Sequence, residues 1–168
     1  MDAGVREDAD VETSSAGYAD RFRGPVGDWF LEVQARTTLE LISPWPRARV
    51  LDVGGGHGQL TGPLIDGGHE VTVYASDPSC RERVRAHVDR GRARFESGDL
   101  LKAPFADRAF DVVLSFRLLP HVTAWPALVG SAAASVADGS AGFQPLGRGL
   151  AGLRLRWHSS CGEIGPGE

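Results

Sequence analysis

Four glycines follow a short apolar run in the segment Val50-Leu-Asp-Val-Gly-Gly-Gly-His-Gly58. The residues before the first glycine are apolar and partly β-branched, which predicts a buried strand. Glycine adopts positive φ and has no Cβ, so a ligand can lie directly against the backbone of the turn that follows. A helix starting after such a turn presents unpaired N–H groups, which favour an anionic group such as a carboxylate. The segment therefore predicts a strand, a tight turn and a helix, with a ligand site at the turn.

Strand-like and helix-like segments alternate on both sides of this turn. Helices are predicted at residues 26–42, 59–66 and 78–90, and further strands at 71–75, 94–96 and 110–116. Strands separated by helix-length segments are typical of βαβ units and a parallel sheet. We therefore expect an α/β fold with a doubly wound parallel sheet.

The two ends of the chain lack this alternation. Residues 1–17 are acidic with almost no large apolar side chains, which predicts a disordered acidic tail. Residues 18–136 form the predicted α/β domain, and residues 137–168, rich in Gly, Ala, Ser and Arg, predict a poorly ordered low-complexity tail without a further strand. A sheet that stops at four strands leaves an apolar edge exposed. Either another chain covers that edge, or the chain is a truncated or frame-altered form of a longer fold, and we favour the second interpretation.

Composition excludes several classes of partner. The 168 residues carry a formal net charge of −4, so no general electrostatic attraction to nucleic acid or an anionic membrane is expected. The two cysteines, Cys80 and Cys161, support neither a disulfide framework nor a metal site. No secretory signal and no membrane-spanning segment is recognised, so the protein is expected to be cytoplasmic. The oligomeric state stays open.

The spacing of the glycines bears on the kind of ligand. A dinucleotide-binding fingerprint needs G-x-G-x-x-G, but Gln59 stands where the last glycine would follow Gly54, and Thr61 where it would follow Gly56. The pattern is instead D-x-G-x-G-x-G. A nicotinamide-dependent oxidoreductase is therefore the less favoured reading of this loop, and neither tyrosine is followed by the lysine of a Tyr-x-x-x-Lys pair.

The loop resembles motif I of the class I S-adenosylmethionine-dependent methyltransferases, usually V-L-D-x-G-x-G-x-G. The resemblance extends from about Arg49 to Val122. It includes Tyr74-Ala-Ser-Asp-Pro-Ser79, Ser97-Gly-Asp-Leu100 and the run Ala103-Pro-Phe-Ala-Asp-Arg-Ala-Phe-Asp-Val-Val-Leu-Ser115, which is similar to a stretch common in small-molecule members of the group. The expected fold is thus a Rossmann-like sheet in the order 3-2-1-4, with the C-terminal strands missing or degenerate.

The resemblance implies an S-adenosylmethionine site. Asp77 would accept hydrogen bonds from both ribose hydroxyls, Asp99 would meet the adenine amino group, and the Leu100 backbone would meet the ring. The cofactor's chemistry is compatible with the glycine loop as well, because its carboxylate suits the helix N-terminus after Gly58 and Asp52 can attract its α-ammonium. The predicted cofactor-binding residues are Asp52, Gly54, Gly56, Gly58, Asp77, Asp99 and Leu100.

Several of these residues have a simpler structural reading. Asp77 can cap the helix that begins at Pro78, and Asp99 can serve as a turn residue. His121 follows the fourth predicted strand and could remove a proton from a methyl acceptor, although a structural histidine is the alternative. No catalytic residue is otherwise recognised, and no metal site is predicted.

The predicted function is methyl transfer from S-adenosylmethionine to a small-molecule acceptor. One alternative is a catalytically inert, truncated remnant that still binds the cofactor, because the acceptor site would be built partly from the missing C-terminal half. The second and weaker alternative is the nicotinamide-dependent oxidoreductase.

Overall fold

The computed structural model describes residues 7–102, 104–136, 140–144 and 153–156. Its α-helices are α1 Ala9–Thr13, α2 Ala16–Ala19, α3 Pro25–Ile42, α4 Thr61–Asp66, α5 Arg85–Asp89 and α6 Trp125–Ala134. Its strands are β1 Arg49–Val53, β2 Glu70–Ala75, β3 Ala93–Ser97, β4 Val112–Phe116, β5 Ser140–Gln144 and β6 Leu153–Arg156. Short 3-10 turns occupy Asp20–Phe22, Gly55–His57, Pro78–Arg83 and Leu119–His121.

The strands form one sheet in the order β3-β2-β1-β4-β5-β6. The first five strands are parallel, and β6 is antiparallel to β5. The predicted α/β class and the order 3-2-1-4 are confirmed. Because the carboxyl ends of β3, β2, β1 and β4 meet at one edge, the loops that follow these strands lie side by side, where open α/β sheets bind ligands.

The expectation that no strand follows the fourth is wrong. Ser140–Gln144 pairs in parallel with β4, and Leu153–Arg156 pairs with that new strand. The segment has few β-branched residues, so its own composition gave no strand signal. The unpaired backbone N–H and C=O groups along the edge of β4 offer hydrogen bonds to a segment that lies extended beside them, so Ser140–Gln144 forms a strand despite its low strand propensity. The rest of the predicted C-terminal tail lies outside the described residues.

The N-terminal segment also differs from its prediction. Residues 9–13, expected to be disordered, form α1, and the side chain of Asp10 is fully buried. The Asp10 carboxylate accepts a hydrogen bond from the Ser76 N–H at 2.7 Å, at the end of β2. This contact joins residues far apart in the chain and so cannot be anticipated from local composition. Residues 1–6 lie outside the described part of the chain.

Buried apolar side chains cover both faces of the sheet. On one face Val50, Val73 and Val112 pack with Leu64 of α4 and with Val84. On the other face Leu51, Tyr74 and Val113 pack with Leu100 and with Leu128 of α6. Burying each such side chain contributes about 1.5–3 kcal/mol. Because side chains alternate along β1 and β4, these strands contribute to the core on both faces of the sheet.

Local signals place most of the helix ends. Pro25 occupies the first turn of α3, which ends before Ser43-Pro44 as proline requires. The single helix predicted at residues 78–90 is instead the 3-10 turn Pro78–Arg83 followed by α5. None of the helices in the described ranges combines the length and the apolar character needed to cross a bilayer.

Candidate functional site

The glycine loop turns sharply at the carboxyl end of β1. Gly54 has φ 72° and donates its N–H to the Tyr74 carbonyl at 2.8 Å, which holds the loop against β2. Gly58, with φ 77°, ends the 3-10 turn Gly55–His57. Both positions require the left-handed conformation that glycine adopts without strain. The α-helix starts only at Thr61, so the loop is longer than a direct strand-to-helix turn.

Asp52 lies in β1 with its carboxylate buried beneath the loop. Its side chain is 3% exposed, and Oδ1 has no hydrogen-bond partner among the described residues. A Cβ on Gly55 would overlap the Asp52 carboxylate, so only glycine fits at that position. Burial raises the pKa of Asp52 to about 7, an effect that the positive charge of Arg117 partly opposes. The carboxylate is thus held where a cationic ligand group would stabilise its charged form.

Arg117 stands directly after β4 and is 4% exposed. Its backbone is left-handed, with φ 61°, a conformation that costs a non-glycine residue about 1–3 kcal/mol. The guanidinium lies over the Phe22 ring at 4.4 Å and near the Tyr18 ring at 5.6 Å. Nη1 and Nη2 make no hydrogen bond of good geometry in the described part of the chain, although the Tyr18 side chain lies close enough to interact with the guanidinium. Burial lowers the pKa of Arg117, while Tyr18 and Asp52 raise it, and the side chain stays cationic.

His57 is a further buried polar side chain at this site, and it belongs to the loop itself. The rings of Tyr18 and Phe22 meet its imidazole edge-on, each with centroids 5.6 Å apart. Burial is the main cause that lowers the pKa of His57 to about 4, with Arg117 and Arg83 adding to the effect. The imidazole is therefore neutral at pH 7 and does not compete with Arg117 for an anion.

One small cavity brings these groups together. It is lined by Thr13, Asp52, Gly54, Gly55, His57, Gln59, Leu60, Phe116 and Arg117. Its volume is about 10 Å³, close to the space of a single water molecule. A larger cavity of about 420 Å³ lies by the amino ends of the strands, lined among others by Glu70 and Ala93. We take the smaller cavity as the candidate site because the buried charged groups without partners converge there.

Residues 9–22, here called the N-terminal segment, cover this site. A Cβ on Gly56 would overlap Ser14 Oγ and come within 2.7 Å of Cys80 Cβ, so α1 lies directly on the glycine loop. Asp10 anchors the segment to Ser76, and Tyr18 and Phe22 cover His57. A ligand as large as a nucleoside therefore fits only when residues of this segment shift.

Asp77 and Asp99 lie at the same edge of the sheet as Asp52 but outside the lining of the small cavity. Asp77 is half-buried and accepts a hydrogen bond from the Ser79 N–H at 2.9 Å, which caps the 3-10 turn. Asp99 accepts one from the Leu101 N–H at 3.0 Å and lies 3.5 Å from Lys102 Nζ. Both carboxylates thus have local structural partners, and their roles toward a ligand stay predictions.

The other predicted residues are dispersed around the loop. Gly56 and Gly58 belong to the turn, where Gly58 faces Val84, and Leu100 is buried in the core. His121 is exposed in the 3-10 turn after β4 and does not line the cavity. Its role as a proton acceptor stays a prediction.

Arg117 is the site residue that the sequence analysis missed. The available signal is a single charged residue inside the otherwise apolar run Phe116-Arg-Leu-Leu119, directly after a strand. Such a side chain cannot follow its neighbours into the core without a partner or a ligand. Tyr18 and Phe22 were missed as well, because no sequence pattern shows that they reach the glycine loop.

A family model described as a methyltransferase domain matches residues 50–139, which include β1 to β4 and the glycine loop. The chain belongs to the class I S-adenosylmethionine-dependent methyltransferases. It is 40% identical to a demethylmenaquinone methyltransferase of Roseiflexus sp. over 91 residues, which cover 52% of this chain and 37% of that protein. It is 31% identical to the ubiquinone/menaquinone biosynthesis C-methyltransferase UbiE of Azotobacter vinelandii over 126 residues, 71% of this chain and 50% of that one.

The methyltransferase fold is shared with solved structures of low sequence identity. The [4+2]-cyclase SpnF superposes with a TM-score of 0.63 at 20% identity, over 73% of this chain and 47% of that one. This neighbour is named as a cyclase and not as a methyltransferase, so the fold alone does not determine the reaction. The chain spans half or less of the length of the two relatives described above.

Proposed function

We propose that this methyltransferase-family chain binds S-adenosylmethionine at the carboxyl ends of β1 to β4 and transfers its methyl group to a small-molecule acceptor. The observation that carries the proposal is the buried Asp52 carboxylate, with an unpartnered oxygen, beneath a loop in which Gly55 admits no Cβ. An unpartnered buried carboxylate is costly, and a cationic ligand group offsets that cost.

The residues present fit the parts of this cofactor. Asp52 would attract the α-ammonium, the turn at Gly54, Gly56 and Gly58 would admit the amino-acid end, and Asp77 would hold the ribose diol. Asp99 would accept from the adenine amino group, and the Leu100 backbone would meet the ring. When bound, S-adenosylmethionine would supply a methyl group on a sulfonium, whose carbon an acceptor nucleophile would attack in line with the C–S bond, with S-adenosylhomocysteine as the leaving group.

The chain's own contribution would be orientation more than acid–base chemistry. Holding the nucleophile in line with the methyl group can supply about 7–11 kcal/mol in the best intramolecular cases. A general base is therefore optional, and His121, exposed after β4, is the candidate if one is used. The names of the relatives support a quinone or related aromatic acceptor, because both act on quinone precursors by name.

A cofactor-binding but inactive chain is the second candidate function. One observation favours it: the small cavity has a volume of only about 10 Å³ and lies beneath the N-terminal segment. In that case the nucleoside would bind after the N-terminal segment shifts, without a complete acceptor pocket. Family membership leaves the nicotinamide-dependent oxidoreductase without support.

Titration calorimetry of the full chain with S-adenosylhomocysteine and with NAD tests the cofactor. We expect heat with the first ligand only, whereas heat with NAD alone would overturn the proposal. Methyl transfer from radiolabelled S-adenosylmethionine to a demethylated quinol then separates the enzyme from the inactive chain.

Two substitutions at Asp77 separate ribose binding from helix capping. Asp77→Asn keeps an oxygen that can accept from the Ser79 N–H but removes the negative charge, whereas Asp77→Ala removes both. If Asp77 holds the ribose, both variants bind S-adenosylhomocysteine about 10- to 100-fold more weakly, since charge-assisted hydrogen bonds are worth about 1.5–3 kcal/mol. Asp66→Asn, which breaks only the exposed pair with Arg92, is the matched control. Unchanged affinity in Asp77→Asn would reduce Asp77 to a cap.

A further inference from the structure

Asp52 and Arg117 are an acidic and a basic side chain that line one cavity but do not pair with each other. Both side chains are at least nine-tenths buried, and both line the small cavity. No ion pair within 4.0 Å joins them in the described structure, and Asp52 Oδ1 and both terminal nitrogens of Arg117 make no hydrogen bond of good geometry there. Each nevertheless lies within electrostatic range of the other.

Such an arrangement is costly unless a ligand completes it. Buried polar groups in folded proteins are normally hydrogen-bonded, and buried charges are normally paired. Two opposite charges that stay apart in one cavity match a ligand that carries both charges on neighbouring atoms. The amino-acid end of S-adenosylmethionine has this form, because its α-ammonium and α-carboxylate are joined through a single carbon.

Tyr18 and Phe22 contact the guanidinium of Arg117, and its Nη1 and Nη2 make no hydrogen bond of good geometry within the described residues. The guanidinium carbon lies over the Phe22 ring, 4.4 Å from its centroid, and the N–H groups of a guanidinium are directed outward in its plane. A guanidinium held in this way can donate two parallel hydrogen bonds to a carboxylate. The left-handed backbone at Arg117, with φ 61°, belongs to the same arrangement.

We propose that Arg117 binds the α-carboxylate of S-adenosylmethionine while Asp52 binds the α-ammonium, so that the two residues form one zwitterion site. The proposal rests on the function proposed above and deepens it. It also replaces the expectation that a helix N-terminus after Gly58 holds the carboxylate, because α4 begins only at Thr61 and has six residues. Arg117 is the buried cation in that cavity.

The test measures binding of two ligands by calorimetry, with the full chain and its Arg117→Met variant. S-adenosylhomocysteine carries the amino-acid end, whereas 5′-methylthioadenosine has the same nucleoside without it. We expect Arg117→Met to weaken S-adenosylhomocysteine binding about 10- to 100-fold and to leave methylthioadenosine binding within about twofold. Arg49→Met, which removes an exposed arginine at the other end of β1, should change neither affinity.

A second measurement uses the unaltered chain, in case the variant does not fold. Decarboxylated S-adenosylmethionine keeps the ammonium but lacks the carboxylate, and it should bind about 10- to 100-fold more weakly than S-adenosylmethionine. Arg117→Met should abolish this discrimination if it folds. Equal affinity for the two ligands would overturn the proposal.

The remaining outcomes each decide a different question. An equal loss of both ligands in a folded Arg117→Met variant would assign Arg117 a structural role and overturn the zwitterion site. If Arg117→Met leaves cofactor affinity unchanged but raises the KM for the acceptor, Arg117 binds an anionic group of the acceptor. That result would also overturn the zwitterion site. Absence of any nucleoside binding by the unaltered chain would instead be the failure of the proposed function.

Discussion

Two arginine–aspartate combinations stand at opposite ends of the neighbouring strands β1 and β4. At the amino ends, Arg49 Nη2 and Asp111 Oδ1 are 2.8 Å apart in a pair that is partly open to solvent. At the carboxyl ends, Asp52 and Arg117 are buried and do not pair. The ion pair thus forms at the end where water can also solvate both charges, whereas the two side chains that do not pair lie where water is excluded.

This difference separates a structural role from a functional one. Arg49 also donates its backbone N–H to Asp111 Oδ2 and accepts the Asp111 N–H at its carbonyl, so the exposed pair holds the start of β4 beside β1. An exposed pair of this kind is cheap to form and worth little by itself. The buried combination is costly as it stands, and the ligand proposed above would offset that cost.

The largest expected effect is on the pH dependence of stability. Burial raises the pKa of Asp52 from 3.8 to about 7, so its contribution to stability is present below about pH 4 and lost as pH rises to 7. The loss amounts to about 4 kcal/mol. His57, whose pKa is lowered from 6.5 to about 4, acts in the opposite direction and loses about 3 kcal/mol as pH falls through that range.

The two effects therefore offset each other in the unaltered chain between about pH 4 and 6.5. Urea denaturation of Asp52→Asn should show stability falling steeply with decreasing pH, because only the His57 effect is left. In His57→Asn, stability should instead fall with increasing pH up to about 7. Asp111→Asn is the control, since Arg49 lowers the pKa of Asp111 and its effect lies at more acidic pH. Parallel profiles for Asp52→Asn and the unaltered chain would contradict the raised pKa.

A smaller effect is a proton released when the ligand binds. At pH 6 the Asp52 carboxyl is mostly protonated, because its pKa is about 7. An α-ammonium bound beside it favours the charged carboxylate, so binding should release close to one proton at pH 6 and almost none at pH 8. Calorimetry with S-adenosylhomocysteine in buffers of different ionisation enthalpy measures this number. A release that persists in Asp52→Asn would show that another group is its source.

The smallest effect is expected at the exposed pair. Asp111→Asn and Arg49→Met should leave S-adenosylhomocysteine affinity within about twofold of the unaltered chain, because the pair lies at the opposite end of β1. The midpoint of thermal unfolding should shift less than in any variant of Asp52. A loss of affinity as large as that of Arg117→Met would remove the distinction between the two ends.

The strands and the loop were predictable because their signals are local. The apolar runs at β1, β2 and β4 indicate buried strands from the local sequence alone. Gly54 and Gly58 likewise indicate a sharp turn, because glycine adopts the left-handed backbone conformation that both positions have. Asp52 was expected beside the loop from its position near the end of β1, whereas Asp77 was expected from the family resemblance and its role stays a prediction. The helix at residues 78–90 was overextended, because the sequence shows a cap and an end but not the 3-10 geometry between them.

The parts that could not be predicted depend on contacts between distant residues. β5 exists as an addition to the edge of β4, and α1 is held through Asp10 by the Ser76 amide. Local composition indicates neither element. Backbone pairing with β4 compensates for the low strand propensity of β5, and the hydrogen bond from the Ser76 N–H compensates for the few apolar side chains of α1.

By itself, the sequence determined the alternating α/β order, the glycine turn and the family of this chain, because each depends on patterns of residues that are close together in the sequence. Only the tertiary structure decided which charges share a cavity. Asp52 and Arg117 are separated by 64 intervening residues and meet because β1 and β4 pair side by side. Burial then determines what their charges cost and which ligand groups would relieve that cost, because the cost depends on the exclusion of water by the surrounding fold.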